Sequence, residues 1–190
     1  AIEWLEDVEL IDDPAETAEL ARSVDSTDGV YFVPAFTGLG APHWDGRARG
    51  TIVGMTRGTR REHIVRATLE SIAFQTRDVA EAMEADSGVE MTSLKVDGGA
   101  VKNNYLCQLQ SDIIQTDIAR PKVDETTALG SAYAAGLAVG YWETVDELRD
   151  NWQVDKTFKP KMASGDADKK QARWEEAVDR SLDWARDGGD

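Results

Sequence analysis

Asp97-Gly98-Gly99-Ala100-Val101-Lys102-Asn103-Asn104 joins a short apolar run, residues 94–96, to a stretch carrying Leu106, Leu109, Ile113 and Ile114 at helical spacing. The run reads as a buried strand and the stretch as an amphipathic helix, so the octapeptide is a strand-to-helix turn. Two glycines there let a ligand approach the backbone without a Cβ in the way, and the unpaired N–H groups and dipole of a helix start favour negative charge. Such a turn suits a nucleotide phosphate. Asn103, placed in the first helical turn, carries an amide able to donate to and accept from a base or ribose. The same pattern also makes an ordinary tight turn, and it fits neither the Walker spacing nor G-x-G-x-x-G. The residues alone leave both readings open.

Downstream, residues 117–120 read as a strand stopped by Pro121, and residues 127–139 as a helix of small residues closed by Gly140. Gly130, Ala134 and Gly136 leave little side chain between backbones, which predicts that this helix lies close against the sheet. A short helix at 145–149 follows, then a polar stretch through Gly165. An acidic amphipathic helix over 172–185 comes last, with Trp174, Val178, Leu182 and Trp184. Strand, helix, strand, helix after residue 90 is the order of an α/β crossover unit.

Upstream, Val65, Leu69, Ile72, Ala73, Val79 and Met83 recur at three- and four-residue steps, predicting a long helix over 62–86 ended by Ser87-Gly88. Residues 30–37 and 51–56 read as strands around a loop rich in Gly and Pro at 38–49, with Phe36 and Trp44 as packing anchors. Residues 14–24 form a short polar helix and 23–29 a turn. Ile2, Leu5, Val8 and Leu10 give helical spacing from the first residue, without a cap. Ala1 therefore either continues an earlier polypeptide or follows a removed initiator Met. Four strands are few for a complete α/β sheet, and nothing divides residues 1–190 into two domains.

Lys and Arg total 21 against 36 Asp and Glu, a formal charge of 21 − 36 = −15 over 190 residues. That field repels phosphodiester backbones and anionic lipid, which argues against nonspecific nucleic-acid or membrane-surface partners. The acidity is dispersed rather than gathered in a tail, the pattern that keeps proteins soluble in a salt-rich, halophilic cytoplasm, with an acidic mesophilic protein as the alternative. Cys107 is the single cysteine, so neither an intrachain disulfide nor a thiolate metal cluster can form. No apolar run approaches the roughly 20 residues of a membrane span, and a cytoplasmic protein is the expectation. His43 and His63 lack partners at metal-ligand spacing, and His63 beside Glu62 reads as a surface or capping group at a helix start.

Residues 33–45, Val-Pro-Ala-Phe-Thr-Gly-Leu-Gly-Ala-Pro-His-Trp-Asp, resemble the FGGY carbohydrate kinases of the actin/hexokinase/Hsp70-like superfamily. Gly50-x-Ile52-x-Gly54-Met55, followed after seven residues by His63-Ile64-x-x-Ala67-Thr68-Leu69-Glu70, is similar to that family's C-terminal signature. Asp97-Gly98-Gly99-Ala100 with Asn103-Asn104 resembles the superfamily's adenosine motif, and residues 127–140 its last core helix. The likeness runs over roughly residues 1–160. It implies a partial C-terminal lobe of a ribonuclease H-like, actin-like ATPase α/β fold, one nucleotide-binding lobe over 1–190 with its first strands missing.

The resemblance further implies transfer of the γ-phosphoryl group of ATP, with Mg²⁺, to a polyol. Thr37-Gly38-Leu39-Gly40 stands where sister kinases carry a Gly-Glu-Arg-type stretch, which favours glycerol over xylulose or gluconate. By position, Gly99 would contact the nucleotide through its backbone, Asn103 would contact adenosine, and Gly98 and Ala100 would shape the turn. Glu3 falls where many members place a Gln near the nucleotide. The family's Asp-x-Gly-Thr loop, acceptor-binding residues and catalytic Asp would precede Ala1. No catalytic residue is therefore assigned, and these 190 residues alone are expected to be inactive. A homo-oligomer is the family's common state. Another FGGY sugar kinase, or a non-enzymatic actin-like assembly module, is the alternative.

Overall fold

A computed structural model describes residues 1–123, 126–149 and 152–186. Its axis is α3 (Arg61–Ser87), whose Val65, Leu69, Ala73 and Phe74 are buried. Gly88 ends it in the left-handed conformation, and the His63 Nδ1 accepts the Arg60 amide at 3.0 Å, the capping one of its two expected roles. Val79 and Met83, expected on the buried face, are instead exposed. The core reaches only as far as Ala80, so the last turns project beyond the elements that cover the first five.

Five elements precede α3. Helix α1 (Ile2–Asp7) buries Leu5, but Glu9 at φ 60° breaks the spiral and leaves Val8 exposed rather than on the expected apolar stripe. A 3₁₀ turn (Pro14–Glu16), started by Asp13 accepting the Ala15 amide at 2.7 Å, leads into α2 (Thr17–Arg22). Strands β1 (Tyr31–Val33) and β2 (Thr51–Val53) pair antiparallel, with Phe32 opposite Ile52; both are shorter than the sequence suggests. Between them, Phe36 packs its ring 5.7 Å from Trp4 yet remains 42% exposed, so it anchors only in part. Trp44 does not anchor anything: it is 79% exposed at a positive φ.

The second sheet holds β3 (Ser93–Lys95), β4 (Asp117–Pro121) and β5 (Val154–Phe158) in that order, β3 and β4 parallel and β4 and β5 antiparallel. Helix α4 (Asn104–Ile114) makes the crossover from β3 to β4 and buries Leu106, Leu109 and Ile113 against α3. β3 is an edge strand with Leu94 only half-buried, not the buried strand expected. β5 falls in the stretch expected to be irregular; only Phe158 of its five residues is buried, so it has no apolar alternation to announce it.

Helix α7 (Ser164–Asp179) begins eight residues before the expected start and ends six before the expected end. Its Trp174 and Val178 join the core, Trp174 stacking on Phe74 with ring centres 5.4 Å apart, while Trp184 lies past the helix and is exposed. Asp45 ties the C-terminal turn down by accepting the Arg47 and Asp183 amides, each at 2.7 Å, and these bonds hold its carboxyl below the usual range.

Helices α5 (Thr126–Ala138) and α6 (Val145–Arg149) bury no residue. The expectation that α5 lies on a sheet is therefore corrected. Its small residues serve another neighbour: a Cβ on Gly136 would sit 2.3 Å from the ring of Trp142, which also meets Tyr133 edge-on at 5.2 Å.

An ionic cluster centres on the buried Glu70. Glu70, 2% exposed, receives Arg66 Nε at 3.2 Å and Lys170 Nζ at 2.9 Å, joining α3 to α7, while Arg66 also donates to the Ala21 and Val24 carbonyls. Each charge is compensated by hydrogen bonds, the condition under which buried ions are tolerated.

Candidate functional site

A cavity of about 680 Å³ opens between the start of α1, the face of the Pro14–Glu16 turn and α2, and the turn that carries the two glycines. Ile2 and Glu3 form one wall, Ala15, Ala18 and Arg22 a second, and Gly99, Ala100, Lys102, Asn103 and Asn104 a third. Its volume is that of a small-molecule site, and its walls are mainly aliphatic with a few polar groups at the rim.

The glycine turn differs from the sequence expectation in a way that matters chemically. Gly98–Gly99 does not run straight into α4: one turn of 3₁₀ helix (Gly99–Lys102) intervenes, and Asn103 is the N-cap of α4 rather than a residue of its first turn. Asn103 Oδ1 accepts the amides of Tyr105 at 2.9 Å and Leu106 at 3.1 Å. The cap thus satisfies two of the first amides of α4, those of Tyr105 and Leu106. Asn103 Nδ2 donates to Thr17 Oγ1 at 3.1 Å, which fastens α2 to the turn. Three of the amide's four hydrogen-bonding positions are used. Asn103 can still donate one hydrogen bond to a ligand but can no longer accept one, contrary to the expectation that it does both.

The two glycines differ in role. Gly98 has φ 84° and ψ 177°, a backbone region open essentially to glycine alone, and it is not among the residues that line the cavity. Gly99 has no such dihedral, and a Cβ built on it meets nothing within 4 Å. Neither a positive φ nor a packing clash requires a glycine at 99, and the residue lines the cavity. The side chain of Ala100 lines the cavity beside it.

Sequence reading missed the α2 wall. Ala15, Ala18 and Arg22 follow at steps of three and four and share one face, a spacing legible in the sequence, but nothing in a polar helix of ordinary composition marks that face as a cavity wall. Glu3 also lines the cavity, with its side chain exposed.

Other candidates group elsewhere. His43 Nε2 lies 3.3 Å from Asp78 Oδ2, and Asp78 also accepts Trp174 Nε1 at 2.8 Å and Gln171 Nε2 at 2.5 Å. This pins the 38–46 loop to α3 and α7. Cys107 is fully buried and burial pushes its thiol up, which makes it a poor nucleophile. Among the described residues no group of three or more His, Cys, Asp and Glu could hold a metal ion, and no helix is long and apolar enough to cross a membrane.

Residues 1–139 match the FGGY family of carbohydrate kinases, C-terminal domain. A glycerol kinase of Haloarcula marismortui is 84% identical over 187 residues, covering 98% of this chain and 37% of that protein. The crystal structure of Plasmodium falciparum glycerol kinase with ADP superposes with a TM-score of 0.86 at 43% identity, covering 95% of this chain and 36% of that one. A ligand-bound xylulose kinase of Lactobacillus acidophilus, 24% identical with a TM-score of 0.74 over 95% of this chain and 36% of its own, shares the fold. The fold is accordingly that of a partial C-terminal lobe of the actin-like sugar kinases. The chain spans little more than a third of the length of these relatives, 37% for the Haloarcula protein.

Proposed function

The chain belongs to the FGGY family of carbohydrate kinases, and from that membership we propose that it is the nucleoside-holding, C-terminal part of a glycerol kinase. The reaction of the whole enzyme is transfer of the γ-phosphoryl group of ATP to a terminal hydroxyl of glycerol, giving sn-glycerol 3-phosphate and ADP. The observation that carries this reading is the convergence of Gly99, Ala100 and Asn103 on one cavity of about 680 Å³. The likeness to a glycerol kinase whose structure holds ADP supports it.

In this reading the aliphatic walls exclude water from the base, Gly99 lets the nucleotide lie against bare backbone, and Asn103 donates its remaining Nδ2 hydrogen to the adenosine. Gly98 and the Asn103 cap hold the wall in place. Phosphoryl transfer depends mainly on positioning and on neutralising phosphate charge. Mg²⁺ enters with the triphosphate. No cluster among the described residues fits it, so no ligand to the ion is assigned here and no step is derived through it. The acceptor site and catalytic base are assigned to polypeptide outside this chain.

A cytoplasmic homo-oligomer without nucleic-acid or membrane partners completes the proposal, the lack of such partners supported by the dispersed charge of −15. That charge also accords with the haloarchaeal origin of the relatives at 78–84% identity. A coupled assay of ADP release tests the division of labour. The intact enzyme should turn over with glycerol and ATP, and these 190 residues alone should not; glycerol-dependent turnover by the isolated chain overturns the assignment.

A further inference from the structure

Arg22 closes α2 and lines the cavity beside Ala15 and Ala18. Its guanidinium carbon lies 5.2 Å from the centre of the Tyr105 ring, within cation–π reach. Tyr105 is half-buried and does not line the cavity, so its ring backs the guanidinium from the protein side. Most arginines here, such as Arg47, Arg77 and Arg120, find a carboxylate. Arg22 has none within ion-pairing distance among the described residues.

We propose that Arg22 is a specificity-determining contact to the base, its guanidinium sandwiched between the Tyr105 ring and the purine. This rests on the nucleotide reading of the cavity. A guanidinium is planar and weakly hydrated, and one held over an aromatic ring can offer a face to a second π system. The neighbouring wall, Ala15 and Ala18, is a low aliphatic surface on which a flat ring can lie, not a polar pocket shaped for a phosphate. The surface charge of the chain points to a salt-rich setting, where the Debye length falls to about 3 Å at 1 M salt. Pairing with a phosphate loses most of its reach there, whereas stacking does not.

The test uses the intact enzyme with Arg22→Ala, Arg22→Gln and Arg22→Lys, with urea unfolding confirming an unchanged fold. Affinities for ADP and for adenosine are measured by calorimetry at low and molar salt, with steady-state KM and kcat alongside. Both ligands should weaken by the same factor, about tenfold, at either salt concentration. KM for ATP should rise with kcat and KM for glycerol unchanged, and Arg22→Lys should not rescue because it restores charge without the plane. Loss confined to ADP, abolished by salt and rescued by Lys, overturns the proposal in favour of a phosphate contact. Unchanged affinities reduce Arg22 to packing on Tyr105. If saturating ADP leaves the amides of residues 99–103 unprotected from hydrogen exchange in the wild-type enzyme, the nucleotide reading itself fails, whatever the variants do.

Discussion

Gly99→Ala separates a glycine kept for the fold from one kept for a ligand. The added methyl meets no protein atom within 4 Å, and the backbone at 99 lies outside the left-handed region. Alanine should therefore be neutral to slightly stabilising, by up to about 1 kcal/mol through the unfolded chain. A nucleotide lying against the bare backbone must give way to the methyl, and one misplaced methyl in a binding pocket is worth about 1–3 kcal/mol, or roughly 5- to 150-fold in affinity. Urea unfolding and ADP calorimetry on the intact enzyme read the two quantities independently. Gly98→Ala is the contrasting control: φ 84° makes it a backbone-strain mutation, expected to lower stability by about 1–3 kcal/mol. Unchanged ADP affinity in Gly99→Ala, with stability intact, refutes the reasoning.

Asn103→Ala removes the cap bonds to the Tyr105 and Leu106 amides and should cost about 1–2 kcal/mol in urea. Asn103→Asp keeps the acceptor but loses the donor, so it should retain most of that stability while weakening ADP. Glu70→Gln leaves Arg66 and Lys170 without a counter-charge; the expected loss is about 3 kcal/mol, the low end for breaking a buried ion cluster, because Lys170 keeps part of its surface in water. Tyr31 has its hydroxyl pushed up to about 12, first by burial and then by Glu70. Its neutral form is favoured in the folded state, so this contribution is complete below the unfolded value near 10 and disappears as pH rises towards 12. Tyr31→Phe should flatten that alkaline slope of stability against pH.

The long helix was legible because Val65, Leu69 and Ala73 repeat at its period and Gly88 punctuates its end. The same period continues through Val79 and Met83, which stay exposed; periodicity marks a face, but burial needs a partner. β5 was illegible for the opposite reason, since an edge strand exposed along four of five residues carries no apolar signal. α7 was misplaced because Gln171, a buried polar residue, interrupts the apolar count between Ala167 and Trp174. At the site, the glycine turn and Asn103 were visible as a motif. Their division into a strained Gly98, an unconstrained Gly99 and a largely occupied Asn103 required the dihedrals and hydrogen bonds. The α2 wall is a product of tertiary packing alone.

The most direct test is a crystal structure of the intact enzyme with a non-hydrolysable ATP analogue. The account predicts the purine inside the cavity, in van der Waals contact with the Gly99 backbone at about 4 Å and facing α2. An analogue bound elsewhere, with this cavity filled by other segments of the same polypeptide, contradicts it.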